Sequence, residues 1–400
     1  MRAVCAWELG AGLGHVARLG AFGKALAARG MEVTHALRDL HAVAEAGDWL
    51  QGRSLQAPWL ARTLSGRDRV PPSHAGVLLE AGYASAETLT ALVEAWRGLL
   101  EGQRTDVVVA DHAPTAALAA RLMGIPVVQF GDGFTVPPAG GDYFGDSMRR
   151  DLERVEQAAG QALASVNAVL ADAGLTSLAR VEDIWLADRT ILATYPELDH
   201  HRGMQRLSGY EGRLESDGQD SDAWEAPGLP RVFAYLKPEG RLFQRALEVL
   251  HGARLDVRGY AGGMQPRLDT RGRVRWSPRP LAAAAIAGCD LVVGTGGHGL
   301  SCAALLAGKP LLLLPEFSEQ WITARNVESM GAGLWVHPDA DPRQLARSLR
   351  RLVDEPAFTR RAREFAERYG EQRARSTVRL AELAEKVRDL ASADRGAYAS

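Results

Sequence analysis

The sequence predicts an α/β protein built from two parallel-sheet domains. Short runs rich in β-branched residues or leucine alternate with Ala-, Leu- and Arg-rich stretches of helical period, which is the pattern of βαβ units. Between residues 208 and 230 the alternation stops, and Asp, Glu, Gly and Ser replace most aliphatic residues, as in a domain linker. The same alternation then resumes. A length of 400 residues fits two or three domains, at about 150 residues each.

Four short apolar runs in the first half are predicted to be strands, and each is followed by a loop that carries His, Asp or Gly. Stretches of helical period lie between them. The predicted strands span residues 2–7, 32–36, 107–110 and 127–130, and the clearest helices span residues 16–29 and 115–123. We therefore expect residues 1–207 to form the first domain.

The second half predicts a further series of strands and helices. The strands span residues 231–236, 290–293 and 310–314, and the helices span residues 241–251 and 300–307. From Pro342 onward the chain is rich in Arg, Glu and Ala and is predicted to be helical. We expect a second domain at 231–370, joined to the first by the linker 208–230, and a helical segment at 371–400 that packs across both domains. Two similar sheet domains joined by one hinge would leave a cleft between them.

Composition argues against several classes of protein. The formal net charge is −2, from 47 Lys and Arg against 49 Asp and Glu, so nothing favours a nucleic acid as the main partner. Cys5, Cys289 and Cys302 show neither CxxC spacing nor an even number, which fits a reducing compartment. Glu8 interrupts the apolar start that an export signal needs, and the charge-free stretch 291–308 is too rich in glycine for a membrane span. We therefore expect a cytoplasmic protein without an integral membrane segment.

Two glycine-rich turns carry the first chemical information. The first runs from Gly10 to His15 as GAGLGH, and its opening glycines fit a dinucleotide fingerprint with Asp39 as the ribose-binding acid. His15 stands where the third glycine belongs. The second turn, from Gly294 to Gly299 as GTGGHG, satisfies the GxGxxG pattern. An oxidoreductase that uses NAD(P) or a flavin is therefore one interpretation of the chain.

The context of the second turn favours a different ligand. The segment 290–333, DLVVGTGGHGLSCAALLAGKPLLLLPEFSEQWITARNVESMGAG, resembles the donor-binding region of the UDP-glycosyltransferase family, whose members have the GT-B fold and glycosylate natural products. In that family HGGxG is followed by Thr or Ser, then by GxPxxxxP and an acidic-Gln pair. Trp276 and Pro278 resemble the family's base-stacking segment. In the first half, the GxGH loop, the DVVVAD run that ends at Asp111 and YPELD at 195–199 agree with the family too.

The resemblance implies an architecture and an activity. The architecture is GT-B, with two facing Rossmann-like domains and a C-terminal helix that crosses between them. The activity is a metal-independent, inverting transfer of a hexose or deoxyhexose from a nucleoside-diphosphate donor to a hydroxyl group of a small, hydrophobic acceptor. The nucleotide sugar is then a co-substrate, and no further cofactor is implied.

The second turn also has physical properties that suit a diphosphate. The glycines at 296–299 let a ligand approach the backbone closely, and a helix that begins near Leu300 offers free amide groups and a positive dipole end. Taken alone, the same turn could also be only a tight connection between a strand and a helix. The acidic pairs at 220–222 and 339–341 match the metal-binding DxD pattern, but they fit a solvated linker and a helix cap. We therefore predict no metal site.

Three departures from the family pattern concern the donor nucleoside. Thr295 replaces the family's His, Leu300 with Ser301 beside it replaces Thr or Ser, and Ala303 stands where the family has its ribose-binding Glu. Alanine cannot hydrogen-bond a ribose hydroxyl, so the site gives up discrimination against deoxyribose. A dTDP-sugar is therefore expected to be at least as good a donor as a UDP-sugar.

Polar side chains elsewhere in the second domain are predicted to bind the rest of the donor. Lys237 follows a strand and would face the phosphates, whereas Glu319 and Gln320 correspond to the family's sugar-binding pair. A carboxylate and an amide together can accept and donate hydrogen bonds to sugar hydroxyls. The predicted donor-binding residues are Lys237, Trp276, Thr295, Gly296, Gly297, His298, Gly299, Leu300, Ser301, Glu319 and Gln320.

The residues predicted for catalysis come from the first domain. His15 can take the proton of the acceptor hydroxyl, because the dipole of the helix that begins there keeps its ring neutral. Asp111 corresponds to the family's aspartate, which orients this histidine and stabilises the cation that it forms. The aromatic residues predicted to line the acceptor site are Trp7, Phe134 and Tyr143.

Three alternatives to glycosyl transfer remain open on the sequence. A nucleotide-sugar epimerase can have the same architecture but would convert its substrate without an acceptor. An NAD(P)- or flavin-dependent oxidoreductase would change the absorbance of its cofactor. A noncatalytic partner of another transferase would bind a nucleotide without turnover. The ligands that bind the chain would separate these classes.

Overall fold

The computed structural model of the chain describes residues 1–60, 71, 73–138, 140, 152–214, 224, 228–264, 273–281 and 283–393. The chain divides into two compact units, one made of residues 1–215 and 376–400 and the other of residues 216–375. It thus returns to the first unit for its last helix. Part of the expected linker 208–230, including the acidic pair at 220–222, lies outside the described residues.

The first unit is built on a six-stranded parallel sheet. Its strands are β1 (Arg2–Trp7), β2 (Glu32–Leu37), β3 (Arg53–Gln56), β4 (Val107–Asp111), β5 (Val127–Gly131) and β6 (Arg189–Leu192). Their order in the sheet is β3-β2-β1-β4-β5-β6, and every neighbouring pair is parallel. Every residue of β4 is buried, which explains why its sequence is an apolar run rather than an alternating one.

Helices cover both faces of this first sheet. Trp96, Leu118 and Val166 belong to the apolar cluster on one face. On the other face, Phe22 packs against Phe130 of the sheet with ring centroids 4.8 Å apart. The helices are α1 (Leu13–Ala27), α2 (His41–Ala46), α3 (His74–Leu78), α4 (Ala86–Gly102), α5 (Pro114–Leu122) and α6 (Leu152–Asp172).

The second unit repeats this plan on another six-stranded parallel sheet. Its strands are β7 (Arg231–Leu236), β8 (Asp256–Ala261), β9 (Val274–Ser277), β10 (Leu291–Gly294), β11 (Leu311–Leu313) and β12 (Gly333–Trp335). They lie in the order β12-β11-β10-β7-β8-β9. Its helices are α7 (Phe243–Gly252), α8 (His298–Leu306), α9 (Ser318–Ser329), α10 (Pro342–Asp354), α11 (Pro356–Arg368) and α12 (Gly370–Ala374).

The last helix, α13 (Ser376–Ser392), packs on α1 of the first unit. Its buried apolar face joins the core cluster that α1 contributes to. Two ion pairs lie beside this contact, with Arg29 Nε 3.1 Å from Glu385 and Arg379 Nε 2.6 Å from Glu211. None of the helices in the described part of the chain is long and apolar enough to cross a membrane.

The strand order gives each sheet one topological switch point, where the connections begin to run in the opposite direction. It lies between β1 and β4 in the first unit and between β7 and β10 in the second. Ligands of open α/β sheets bind outside the carboxyl ends of the strands at such points. In the first unit, Asp111 ends β4 and His15 lies near the start of the helix that follows β1. In the second unit, Lys237 follows β7, and the turn 294–299 lies at the end of β10. The predicted α/β class with parallel sheets is confirmed.

Candidate active site

The switch point of the first sheet brings the predicted catalytic pair together. His15 is the third residue of α1, and Asp111 is the last residue of β4. Nδ1 of His15 lies 3.1 Å from Oδ1 of Asp111, which is the distance of an ion pair although the N–H is not aligned as a hydrogen bond. Asp111 is completely buried, and His15 is 8% exposed. With Nδ1 turned to the carboxylate, Nε2 is the nitrogen that can accept a proton.

Two charged residues that the sequence analysis did not single out extend this pair. Arg18, one turn further along α1, donates to Oδ1 of Asp111 at 3.3 Å and to Oδ2 of Asp132 at 2.9 Å. Arg18 and Asp132 are both almost fully buried. The other oxygen of Asp132 accepts from the backbone N–H groups of Phe134 and Thr135, so its carboxylate also shapes the loop after β5. The charges therefore form one continuous buried network.

Aromatic rings and a glycine fix the position of the His15 ring. The Trp7 indole stacks on it with centroids 5.2 Å apart, and its N–H donates to the carbonyl of Leu9. His112 also stacks on it, with centroids 6.2 Å apart. A Cβ at Gly10, which has φ +85°, would lie 2.9 Å from Nε2 of His15 and 3.3 Å from Nδ1 of His112. Glycine is thus needed there both for its backbone angle and for the space.

His112 adopts a backbone conformation that is rare for a residue other than glycine, with φ +51°. Its carbonyl accepts the N–H of Leu9, so this bend joins the loop after β4 to the loop after β1. Burial, and then the neighbouring His15, lower the pKa of His112 to about 4. The ring is therefore neutral near pH 7 and does not add a second positive charge beside His15.

Glu8 provides another link between these two loops. Its carboxylate, which is 1% exposed, accepts from the N–H of Thr115 at 2.9 Å and from the Thr115 hydroxyl, at the first turn of α5. The N-cap residue of α5 is Ala113, which makes no side-chain cap. Burial raises the pKa of Glu8 to about 7, against the opposing effect of these hydrogen bonds.

Phe134, one of the predicted acceptor contacts, lies in a cluster of imidazole rings. Its ring centroid is 5.1 Å from that of His74, 5.9 Å from His112 and 5.5 Å from His200. Nε2 of His74 is 3.2 Å from Nε2 of His201. Phe134 is 8% exposed, so this face of the loop is mostly packed within the first unit. Tyr143, the third predicted acceptor contact, lies outside the described residues.

In the second unit most of the predicted donor residues lie in or near the turn after β10. Gly296 has φ +87°, and a Cβ there would lie 3.0 Å from the carbonyl oxygen of Gln320. Gly297 is the N-cap of α8 and makes no side-chain cap. Since the first intrahelical N–H bond is that of Ser301 to Gly297, the amides of His298, Gly299 and Leu300 lie before it in the first turn. Their N–H groups and the helix dipole suit a phosphate group.

The side chains of α8 contribute little polarity to this turn. The helix begins at His298 rather than near Leu300, and Ser301 is therefore inside it, with its buried hydroxyl donating to the carbonyl of Gly297. Leu300 folds back over Gly294, where a Cβ would lie 2.5 Å from its Cδ2. His298 is buried against Cys302. What the turn presents to a ligand is its backbone.

The other predicted donor residues differ in their burial and in the hydrogen bonds that they make within the protein. The Gln320 amide is buried, and its oxygen accepts from the N–H of Glu316 at 2.9 Å. Glu319 is half-buried at the start of α9. Glu316 itself accepts from the N–H of Arg241, and burial raises its pKa. Lys237 follows β7 and is half-buried, next to the switch point.

Trp276 lies at some distance from this turn within the sheet. It sits in the edge strand β9, in register with Gly259, while β8, β7 and β10 follow in order. At about 4.8 Å per strand, Trp276 and β10 are separated by roughly 14 Å. The indole stacks on His251 and donates to its Nε2 at 3.0 Å. Trp276 therefore packs against His251 within the second unit.

The described residues give little support to the metal site and the dinucleotide site that the sequence analysis considered. Among them, no group of three or more His, Cys, Asp or Glu side chains is placed to hold a metal ion. Asp39, the candidate ribose-binding acid of the first turn, accepts from the backbone N–H of His41 in its own loop. Asp341 caps α10 through the N–H of Gln344, as its sequence position suggested.

Comparisons with known proteins agree with this architecture. Residues 272–388 match the family described as the C-terminal domain of erythromycin biosynthesis protein CIII-like proteins. The chain is 29% identical over 307 residues to the elloramycin glycosyltransferase ElmGT of Streptomyces olivaceus, across 69% of this chain and 67% of that protein.

Solved structures show the same fold over almost the whole chain. Spinosyn rhamnosyltransferase SpnG, complexed with thymidine diphosphate, superposes with a TM-score of 0.68 at 19% identity, across 97% of this chain and 100% of that one. Glycosyltransferase VinC, in complex with dTDP, gives a TM-score of 0.65 at 18% identity, across 96% and 100%. Together the family match, the sequence relative and the fold identify the chain as a glycosyltransferase with the GT-B fold, similar to those of natural-product biosynthesis.

Proposed function

We propose that this glycosyltransferase inverts the anomeric centre and uses His15 as its general base. The observation that carries the proposal is the contact of Nδ1 of His15 with the buried Asp111 at the switch point of the first sheet. This arrangement leaves Nε2 to remove a proton, while the carboxylate stabilises the imidazolium that results. Trp7 and His112 both stack on the His15 ring, which limits its motion before the reaction step.

The chemistry follows from these groups. The acceptor oxygen forms its bond to the anomeric carbon while its proton moves to Nε2 of His15. The bond from that carbon to the diphosphate oxygen breaks, and the diphosphate leaves with the electron pair. Attack from the face opposite the leaving group inverts the configuration. The amides at the start of α8 would stabilise the negative charge of the diphosphate, which needs no metal ion in this account.

A thymidine-diphosphate sugar is the proposed donor. Ala303 offers no polar group to a ribose 2′-hydroxyl, and the Ser301 hydroxyl is already bonded to the carbonyl of Gly297. Neither side chain would therefore favour ribose over deoxyribose. The structures of SpnG and VinC contain thymidine diphosphate, which supports the same nucleoside for this chain. Glu319 remains the proposed contact to the sugar hydroxyls.

The proposed acceptor is a small, hydrophobic alcohol or phenol, bound by the first unit near Trp7 and Phe134. No cofactor beyond the nucleotide sugar is needed for this reaction. We further propose that the enzyme works in the cytoplasm, which its three buried, unbridged cysteines support.

A ligand panel followed by product analysis tests this proposal. In calorimetry with added chelator, dTDP should bind at least as tightly as UDP, and NAD(P) and flavins should not compete. UDP binding that is tighter by tenfold, about 1.4 kcal/mol, would contradict the thymidine assignment. With an α-linked dTDP-hexose and a panel of phenols and macrolactones, the product should be a β-glycoside, read from its anomeric proton coupling. A retained anomer, or conversion of the donor without acceptor, would overturn the inverting transfer.

A further inference from the structure

We propose that Thr115 is a positioning residue, which joins Glu8 and Tyr83 into a buried hydrogen-bonded network that holds the loop between Asp111 and α5. The effect on catalysis rests on the proposed function, but the effect on the loop does not. The hydroxyl of Thr115 donates to the carboxylate of Glu8 and lies 2.9 Å from the hydroxyl of Tyr83. None of these three side chains is more than 1% exposed.

Glu8 takes the place of the side-chain cap that α5 lacks. The N-cap residue Ala113 makes no side-chain cap, and Pro114, the first residue of the helix, has no N–H. The next two N–H groups, those of Thr115 and Ala116, donate to Glu8. A carboxylate is also favoured at the positive end of the helix dipole. The start of α5 is therefore held by a residue from the loop after β1.

The same loop holds both ends of a very short connection. Only two residues, 112 and 113, separate Asp111 from the start of α5. The N–H of Leu9 donates to the carbonyl of His112 at 2.9 Å, and the neighbouring Glu8 accepts from the N–H of Thr115, also at 2.9 Å. The connection is thus fixed at two points three residues apart.

The groups on this connection are those that contact His15. The backbone of His112 has φ +51°, a conformation that costs about 1–3 kcal/mol and persists only where the surroundings impose it. Its ring centroid lies 6.2 Å from that of His15, and Oδ1 of Asp111 lies 3.1 Å from Nδ1 of His15. If the bonds of Thr115 were lost, the strained backbone could relax and move both groups relative to His15.

Tyr83 orients the hydroxyl at the centre of the network. It is the last residue of the helical segment Leu79–Tyr83, which follows α3. Burial raises the pKa of Glu8 to about 7, so at pH 8 most of this carboxyl is ionised and can only accept hydrogen bonds. The Thr115 hydroxyl then donates to Glu8 and is left to accept from Tyr83. Experiments at pH 8 therefore examine the network in one defined state.

The test compares two buried threonines of the first unit. Thr115→Val keeps the shape of the side chain but removes the hydroxyl, and Thr115→Ser restores it. At pH 8, Thr115→Val should lower kcat about tenfold or more while the Kd for dTDP stays the same, and Thr115→Ser should recover most of the loss. The matched control is Thr105→Val, before the opposite end of β4, where the buried hydroxyl donates to the carbonyl of Leu100 at 2.8 Å. It should lower the Tm by a similar amount and keep kcat.

Histidine NMR of the free full-length protein at pH 8 reports on the loop without donor or acceptor. The ring signals of His15 and His112 are assigned with His15→Asn and His112→Asn. They should move in Thr115→Val and return in Thr115→Ser, because the two rings lie against each other and a displaced loop changes that contact. In Thr105→Val they should stay at their wild-type positions.

Unmoved ring signals or an unchanged kcat in Thr115→Val, or equal changes in Thr105→Val, would overturn the proposal. If Thr115→Val fails to fold, Glu8→Gln tests the same bonds, because the amide replaces one accepting oxygen with a donor. The NMR comparison needs no turnover. Ring signals that move as expected in a chain without transferase activity would therefore refute only the proposed function.

Discussion

The two sheets share one topology, yet the loops at their switch points use different chemistry. In the first unit, Asp111, Arg18 and Asp132 form a buried network of charged side chains beside His15. In the second, the turn 294–299 presents mainly backbone, since its nearby side chains pack inward. The fold thus fixes where a ligand binds, while the residues of the loop decide what happens there. Titratable side chains suit proton transfer, and backbone N–H groups at a helix start suit an anion.

The largest effect should come from substitutions in the charged network of the first unit. His15→Ala is expected to lower kcat by about 10² to 10⁴ while the Kd for dTDP stays the same. Asp111→Asn should also lower kcat, because an amide cannot stabilise the imidazolium. The control is Asp106→Asn at the other end of β4, where the carboxylate accepts the N–H of Arg2, and it should keep kcat. Wild-type rates in both active-site variants, on a confirmed acceptor, would remove this pair from the mechanism.

The next effect concerns Glu8, which links two loops of the first unit and should make the stability of the protein depend on pH. Burial raises the pKa of this carboxyl from 4.5 to about 7, so between these values the folded protein keeps a proton that the unfolded chain has released. Stability should therefore fall as the pH rises from 5 to 8, by about 3 kcal/mol for this group. Glu8→Gln removes this loss, so the free energy of unfolding of the variant should increase relative to that of wild type as the pH rises.

Urea unfolding of wild type and Glu8→Gln at several pH values measures this difference. The exposed Glu32→Gln provides the control and should follow wild type at every pH. If the advantage of Glu8→Gln stayed constant or shrank with rising pH, the carboxylate would be ionised in the folded protein. The amides of the first turn of α5, and not burial, would then dominate its titration.

The smallest effect should come from the glycines of the second unit, and two of them make a matched pair. Gly297 has φ −60° and open space around an added Cβ, so Gly297→Ala should leave the Tm unchanged. The methyl group would fill the space beside the first-turn amides of α8 and lower dTDP affinity about tenfold. Gly296→Ala instead meets the Gln320 carbonyl at φ +87° and should lower the free energy of unfolding by about 1–3 kcal/mol. Unchanged dTDP affinity in Gly297→Ala would show that the diphosphate does not approach this turn.

The central strands were the part of the fold most readable from the sequence. The predicted bounds of β1 and β7 agree with the structure, because buried parallel strands are continuous apolar runs between turn residues. The strands β3, β6, β8, β9 and β12 were missed. β8 is buried, but its sequence, DVRGYA, is interrupted by charged residues and a glycine. β3 and β9 are short, incompletely buried edge strands whose sequences, RSLQ and VRWS, lack both an apolar run and a clear alternation. β12 has only three residues.

The candidate site shows a similar limit. His15 and Asp111 stood in recognisable motifs, and the structure brings them together. Arg18 carried no such signal, because an arginine on an amphipathic helix usually faces solvent, and its partners lie 93 and 114 residues away. Asp132 offered only the pattern of an acid after a strand, which it shares with Asp111. Long-range charge pairing has no local sequence pattern, so it became visible only in the folded chain.

One paired measurement tests most directly whether the two switch points divide the work in this way. For His15→Ala and Gly297→Ala, dTDP affinity is measured by calorimetry and kcat at saturating donor on the same samples. His15→Ala should lose kcat by 10²-fold or more with unchanged affinity, whereas Gly297→Ala should lose about tenfold in affinity and keep its kcat. If both variants lost affinity and kcat in the same proportion, the separation of proton transfer from diphosphate binding would be contradicted.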